Sequence, residues 1–362
     1  MIDTISDRYS LRLNNIRQAI NKTKVDGLLV TDIHNVRYLT GFSGSCGCAF
    51  ITGKDHFFIT DFRYREQSEN EVMGWETLIE KGDRIALIQD ISKKNGIKKL
   101  GFESSVSYHF FRKLSHTSLR LKAMEGFVEK LREIKDRHEI HYIQEAVMRA
   151  ENAFMDVKTY IRPGISERSI ALRLEEGLKK RGCSRIPFDI IVASGPHSAM
   201  PHARPTDRKL QKGDLVIADW GGEAHGYFSD LTRTFLLKGG NDIQKKKEIY
   251  HTVLEANRRA ISSVSNGARS KQIDAGARDY IKNAGYGDLF GHGTGHGVGL
   301  QVHESPRISW NKSEPVRKNM VFTIEPGIYL PGLGGVRIED MVVVSEKKAE
   351  VLTSLPKKLE LI

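Results

Sequence analysis

Two stretches of this chain each place a carboxylate at the end of an apolar run and a second one beyond a turn. In residues 213–221 (GDLVIADWG) Asp219 closes the run, and Asp230 follows the turn at His225-Gly226. In residues 320–327 (MVFTIEPG) the matching acid is Glu325, and Glu339 follows the turn at Leu333-Gly334-Gly335. Each half reads as a β-hairpin with one carboxylate per strand. Two such hairpins facing each other gather four carboxylates. If buried with nothing between them, those groups would repel, and desolvation would drive protons onto them. Cations resolve that conflict. Carboxylate oxygens joined by an imidazole suit Mn, Co, Zn or Mg rather than copper or iron–sulfur chemistry, and four carboxylates exceed the needs of one mononuclear zinc.

Taken singly, each acid is an ordinary turn or strand-end residue. Two features argue for more. Each acid lies in or against an apolar strand, and the segment between the hairpins, residues 290–304 (FGHGTGHGVGLQVHE), supplies His292, His296 and His303. Glycine on that scale is costly unless the backbone must approach something closely.

The elements that position these residues fall into two regions. Residues 6–24 have the apolar spacing of an amphipathic helix, and strand-like runs at 27–31, 48–52, 57–60 and 100–103 alternate with helical stretches at 63–71 and 84–95. This α/β punctuation ends near Met124. Residues 127–160 read as one charged helix that Pro163-Gly164 stops. Further helices are expected at 165–181, 243–265 and 270–284, separated by strand-and-turn sequence, and residues 291–346 are rich in glycine and strands. The expected organisation is an α/β domain over residues 1–125 and an α+β domain over 126–362.

Composition limits the functional classes. The 362 residues hold 56 Lys+Arg against 45 Asp+Glu, a formal charge of +11, and are 39% hydrophobic, as in an ordinary globular protein. No apolar run approaches the ~18 residues that span a bilayer, and the opening residues mix Asp3, Asp7, Arg8 and Arg12 with no signal-peptide core. No membrane association is expected. The lysines form short scattered clusters (Lys93-Lys94, Lys179-Lys180-Arg181, Lys245-Lys246-Lys247) rather than one basic strip, so solvated surface is preferred to nucleic-acid binding. Three cysteines make no disulfide framework, and Cys46 and Cys48 lack C-x-x-C spacing, which points to a cytoplasmic setting.

At this point a resemblance enters. The run GYFSDLTRT, the segment HGTGHGVGLQVHE and the blocks TIEPGIY and GVRIED look like the metal-dependent Xaa-Pro peptidases, prolidase and aminopeptidase P, with the pita-bread fold. DGLLV, NVRYLTGFSGS and LREIKD resemble the smaller creatinase-type N-terminal domain and linker helix of that family, so the likeness covers nearly the whole chain. It implies that Asp219, Asp230, His296, Glu325 and Glu339 are the ligands of two divalent ions per chain, manganese in the first instance with cobalt or zinc as alternatives, and that Asp230 and Glu339 bridge them. Such ions would supply an activated water for attack on the scissile carbonyl. His202, in SGPHSAMPHARPTD, and His303 match positions that steady the substrate carbonyl and the developing oxyanion. Glu325 also matches a residue that handles the proton reaching the leaving proline nitrogen. His292 matches a pocket residue, and Arg337, two residues before Glu339 and expected on the same strand face, supports the site or contacts substrate.

The resemblance further implies a proline-containing di- or oligopeptide substrate and a homodimer, with residues 1–125 concerned with dimerisation and the cleft edge and residues 126–362 forming the catalytic domain. Arg307, in HESPRIS, can clamp a dipeptide carboxylate in bidentate fashion, which favours the dipeptidase, prolidase, over its alternative, an Xaa-Pro aminopeptidase. A metal-free creatinase-type hydrolase lacks the five-ligand set, a non-catalytic pita-bread module typically loses ligands, and a methionine aminopeptidase lacks the first region. Trp220, beside the first acid, is expected to narrow the cleft. His225, at a hairpin tip, is expected in solvent. Tyr227 and Phe188 are candidates for a proline pocket, with strand-core packing as the more ordinary role.

Overall fold

The strands of the first unit run through sequence too short to bury an apolar face alone, so they assemble one sheet. A computed structural model describes residues 5–362; Asp3, in the charged opening stretch, lies outside them. The chain forms two compact units, one extending to Arg132 and the other beginning at Glu133. In the first, helix α1 (Ile5–Asn21) precedes β1 (Gly27–Val30), α2 (Ile33–Thr40), β2 (Cys48–Thr52), β3 (His56–Thr60), α3 (Arg65–Glu71) and β4 (Glu76–Ile79). Then come α4 (Arg84–Lys94), β5 (Lys99–Glu103), α5 (Tyr108–Ser115), β6 (Arg120–Met124) and α6 (Glu129–Arg132). The sheet order is β4-β3-β2-β1-β5-β6, and its core includes Leu29, Phe50, Ile59, Ile88 and Leu100, all fully buried. Helix α2, β4 and α5 are elements beyond those expected from the sequence. Asp32 caps α2 by accepting from the His34 and Asn35 amides, and Gly41 closes it at φ 85°. Asn35 then donates to Glu103 and Glu129 and accepts from Arg132, so the short helix α6 stays with the first unit.

The single helix expected over 127–160 is two helices. Residues 133–136 separate them, and Asp136 starts α7 (Arg137–Lys158) with a capping box closed by Glu139. Lys135 turns inward instead, donating to Glu304 at 2.7 Å with both side chains buried. After α8 (Glu167–Lys180) and β7 (Ile191–Ser194), an outer antiparallel pair, β8 (Leu215–Trp220) with β11 (Leu231–Leu236), encloses an inner hairpin, β9 (Glu223–Ala224) with β10 (Tyr227–Phe228). Helices α9 (Ile243–Ser262) and α10 (Ser270–Asn283) follow, then β12 (Gly295–Gly297) and β13 (Glu304–Ile308). The enclosed pattern now recurs: β14 (Val321–Ile324) pairs with β17 (Asp340–Val344) around the inner hairpin of β15 (Gly327–Leu330) and β16 (Gly334–Arg337). A last strand, β18 (Ala349–Val351), lies on β17.

Sheet orders are β11-β8-β7 and β13-β12-β14-β17-β18. They meet where Thr232 bridges Glu339. Behind them, Ile249 and Val253 of α9 and Ile273 and Ala277 of α10 pack on Phe322, Ile324 and Val342, burying the apolar faces that the helical spacing set out. The acids therefore sit on strand ends backed by a dry core.

Removing the Lys135 ammonium leaves a charged carboxylate buried beside the His303 segment. Lys135→Met is expected to lower stability by ~3–5 kcal/mol, read as a fall in the urea midpoint, and adding Glu304→Gln should recover much of that loss. A Lys135→Met protein as stable as the parent would show that the pair carries no such burden.

Candidate metal centre

Four acids reach one wall of a cleft because the two enclosed pairs present corresponding strand ends. Asp219 lies near the end of β8, opposite Thr232, and Asp230 immediately precedes β11. Glu325 immediately follows β14, and Glu339 immediately precedes β17. His296 comes from the middle of β12, which pairs with β14 on one side and β13 on the other. Donor atoms fall within 4.8 Å of one another in three overlapping groups: Asp219, Asp230 and Glu339; His296, Glu325 and Glu339; and Asp230, His296 and His303. His296 Nε2 lies 3.6 Å from Asp230 Oδ2 and 3.4 Å from Glu325 Oε1.

Three of the four carboxylates are each held through one oxygen. Thr232 Oγ1 donates to Glu339 Oε2 at 2.6 Å, Thr323 Oγ1 to Glu325 Oε1 at 3.2 Å, and Arg337 Nη2 to Asp219 Oδ2 at 2.5 Å. The other oxygen of Asp219 is buried with no hydrogen-bond partner. Such an orphaned acceptor is unfavourable unless something positive meets it.

The electrostatics agree. Burial, then the charges of Glu339, Asp219 and Glu325, hold the Asp230 carboxyl well above the usual range. Burial with Glu325 and Asp219 does the same to Glu339, and burial pushes Glu325 up to about 7 even though Arg337 opposes it. Burial and the neighbouring His303 lower His296 to about 3, so its imidazole is neutral and can donate a lone pair. Neutral imidazole, clustered carboxylates and an orphaned oxygen together suit one or more divalent cations.

A cleft of about 910 Å³ is lined by these five residues and by His202, His292, His303, Arg307 and Arg337. His303 lies against His296 with ring centroids 4.2 Å apart and planes tilted by 54°, and burial lowers its pKa from the ordinary value. Arg307 is exposed on β13 directly opposite His296. Arg337 closes β16 while Glu339 lies beyond the break at Ile338, so the two do not share one strand face as expected; both still reach the cleft.

Tyr329 is a residue that sequence reasoning missed. Its hydroxyl accepts from Arg337 Nη1 at 2.8 Å and meets His292 Nε2 at 2.9 Å, so one buried phenol links the pocket histidine to the Asp219 arginine. Its place in TIEPGIY was the available signal. Trp220 does not narrow the cleft: it is fully buried on the other face of β8, stacks on Phe154 with centroids 4.5 Å apart, and donates to the Ala150 carbonyl. Strand alternation explains this, because Asp219 and its neighbour must face opposite ways. Phe188 lines the cleft, whereas Tyr227 is buried and bonds Glu139. His225 stays half exposed beside Glu145.

The glycines of the histidine segment admit strands rather than a ligand. A Cβ on Gly295 would lie 1.8 Å from the Thr323 carbonyl oxygen, so glycine is what lets β12 pass close enough to β14 for His296 to face Glu325.

Known proteins resemble this chain in sequence and in fold. The family model for metallopeptidase family M24 matches residues 141–346, and that for the creatinase/prolidase N-terminal domain matches residues 12–134. The chain is 36% identical over 357 residues to an Xaa-Pro dipeptidase of Pyrococcus horikoshii, covering 98% of this chain and 99% of that one. It resembles the solved Xaa-Pro dipeptidase from Bacillus anthracis at TM-score 0.95 and 40% identity, covering 98% and 100% of the two chains. It also resembles an X-Pro aminopeptidase from Thermotoga maritima at TM-score 0.88 and 35% identity, covering 97% and 99%. With creatinase-type N-terminal and pita-bread regions in order, the chain belongs to metallopeptidase family M24, among the Xaa-Pro peptidases that its motifs resemble.

Proposed function

We propose that this protein is an Xaa-Pro dipeptidase whose two divalent ions would be held by Asp219, Asp230, His296, Glu325 and Glu339. The observation that carries this reading is the convergence of three buried carboxylates, the partly buried Glu325 and a neutral imidazole on one cleft wall. When bound, such ions activate a water and polarise the scissile carbonyl. Manganese, a homodimer and a cytoplasmic setting belong to the same proposal. Among the described residues no helix is long and apolar enough to cross a membrane.

The chain's own residues do the rest. An Xaa-Pro bond is a tertiary amide whose nitrogen carries no hydrogen, so the backbone pairing used by general peptidases is lost. Here a shaped pocket replaces it: His292 and Arg337, joined through the buried Tyr329 hydroxyl, form a wall against which a proline ring can rest. His202 and His303 steady the carbonyl oxygen as charge develops on it. Glu325, on the cleft wall beside His296, is placed to take up a proton and pass it to the departing proline nitrogen. Arg307, exposed in the cleft, receives the dipeptide carboxylate. A second reading, Xaa-Pro aminopeptidase, is favoured by the size of the cleft, because about 910 Å³ lies within the range of sites that take ligands larger than a dipeptide.

Three measurements test these readings. Chelation should abolish hydrolysis of Leu-Pro and Mn2+ or Co2+ should restore it, with two ions per chain by elemental analysis; activity that survives thorough chelation overturns the proposal. Arg307→Ala should raise KM about tenfold or more for Xaa-Pro dipeptides, the worth of a charge-assisted pair, and spare Xaa-Pro-Xaa tripeptides. Equal losses on both substrates remove Arg307 from carboxylate recognition.

The third concerns pH. Between the ordinary carboxyl value of 4.5 and about 7, folded metal-free protein keeps a proton on Glu325 that the unfolded chain has released. At Glu325 the folded state therefore binds more protons in that window, and this group's contribution to stability falls as pH rises, while the lowered histidines His292, His296 and His303 act in the opposite sense. Comparison with Glu325→Gln isolates the carboxyl: in chelator, the thermal midpoint of the parent measured relative to that variant should drop from pH about 5 to about 8. A difference that rises across the window contradicts the raised carboxyl.

A further inference from the structure

Helix α8 begins with a carboxylate that the chemistry above does not use. Glu167 is fully buried, yet six contacts converge on its two oxygens. Oε1 accepts from the Ser194 amide at 2.8 Å and the Ser194 hydroxyl at 2.7 Å. Oε2 accepts from the Thr206 amide at 3.0 Å and the Thr206 hydroxyl at 2.7 Å. His197 Nδ1 lies 3.0 and 2.9 Å from the pair. Ser194 ends β7 and Thr206 lies on the far side of residues 195–205, so one carboxylate grips both stems of a single loop and touches its interior. That loop carries His202 to the cleft. Its other ties lie on the cleft side: Gly335 N–H donates to Ser198 Oγ, and Arg337 Nη1 donates to the Pro201 carbonyl.

We infer that Glu167 is a positioning residue, a clamp that closes the 195–205 loop and so fixes His202 against the reacting carbonyl. Unclamped, a segment of this length samples many arrangements, and closing it costs conformational entropy that multiple charge-assisted bonds offset. A carboxylate is well suited to this role. Burial would raise its pKa, but the bonds from Thr206, Ser194 and His197 outweigh burial and hold it below the usual range. It also sits in the first turn of α8, where negative charge is favoured. The inference rests on the Xaa-Pro peptidase reading, in which His202 acts on the carbonyl.

The test compares Glu167→Gln, His202→Ala and the double variant in the full-length Mn2+-loaded protein. Glu167→Gln should lower kcat on Leu-Pro roughly tenfold to a hundredfold, up to the loss of one oxyanion donor, with KM and bound metal little changed. The double variant should be no slower than His202→Ala, because the two changes remove one function. Hydrogen exchange across 195–205 should quicken in Glu167→Gln. Additive rate losses overturn the inference even if exchange quickens, and so does an unchanged kcat or unchanged exchange. If Glu167→Gln does not fold, Thr206→Val, which removes one hydroxyl donor, should shift exchange and kcat the same way by less, and no shift in either is a refutation. Wild-type protein inactive on Leu-Pro and on Xaa-Pro-Xaa defeats the peptidase reading instead, while the exchange measurement still decides the clamp.

Discussion

Like charges brought together out of water are the constraint around which the second unit is built. Asp219, Asp230, Glu325 and Glu339 are drawn from four strand ends into one wall, and the resident cation that bonds to them is Arg337, on Asp219. Burial without further compensation leaves two of these carboxyls far above their ordinary range and a third near neutrality. A fold that relied on this cluster for its own stability would gain nothing from it. The arrangement is intelligible as a cost borne for binding cations, with the surrounding core supplying the stability that the cluster does not.

Support from behind makes the cluster specific. Thr232, Thr323 and Arg337 each bond one oxygen of a different acid, fixing its direction without exhausting its acceptors. Arg233 strengthens the same region from the opposite side: it donates to the Thr232 and Glu339 carbonyls and pairs with Asp340, itself held by Lys357 and Thr353. The strand that delivers Glu339 is thus anchored to the C-terminal residues by buried charge, as suits a carboxylate that must not drift.

What the sequence disclosed and what it withheld differ in range. The acids were legible because a strand end, a turn and a second strand are local events, and the turn at His225-Gly226, with φ of 52° and 82°, is the kind that joins tight hairpins. The inner hairpins between the paired strands were less visible, since β9 and β10 are two residues each. Helix α2 hid in β-branched sequence, although its Asp32 and Gly41 caps were plain once sought. The break at Lys135-Asp136 was masked by unbroken helical spacing, and the reason for it, a buried partner at Glu304, is 169 positions away. The bond from Tyr329 to His292 and the clamp at Glu167 are likewise long-range, and no periodicity encodes them. Trp220 was a failure of another kind: alternation along β8 already required it to face away from Asp219.

The two enclosed hairpin pairs are equivalent in topology but not in use. In the first, the inner hairpin turns from the cleft and fastens to α7, where Tyr227 bonds Glu139 and His225 meets Glu145. In the second, the inner hairpin carries Arg337 into the cleft and holds it there through Tyr329. Each outer pair delivers two acids, so both halves serve the charge cluster equally. Substrate recognition cannot be shared in that way, because a peptide approaches from one side. One inner hairpin is therefore available to recognise the peptide, while its counterpart is left to brace the scaffold. This division explains why the acids repeat along the sequence and the pocket residues do not.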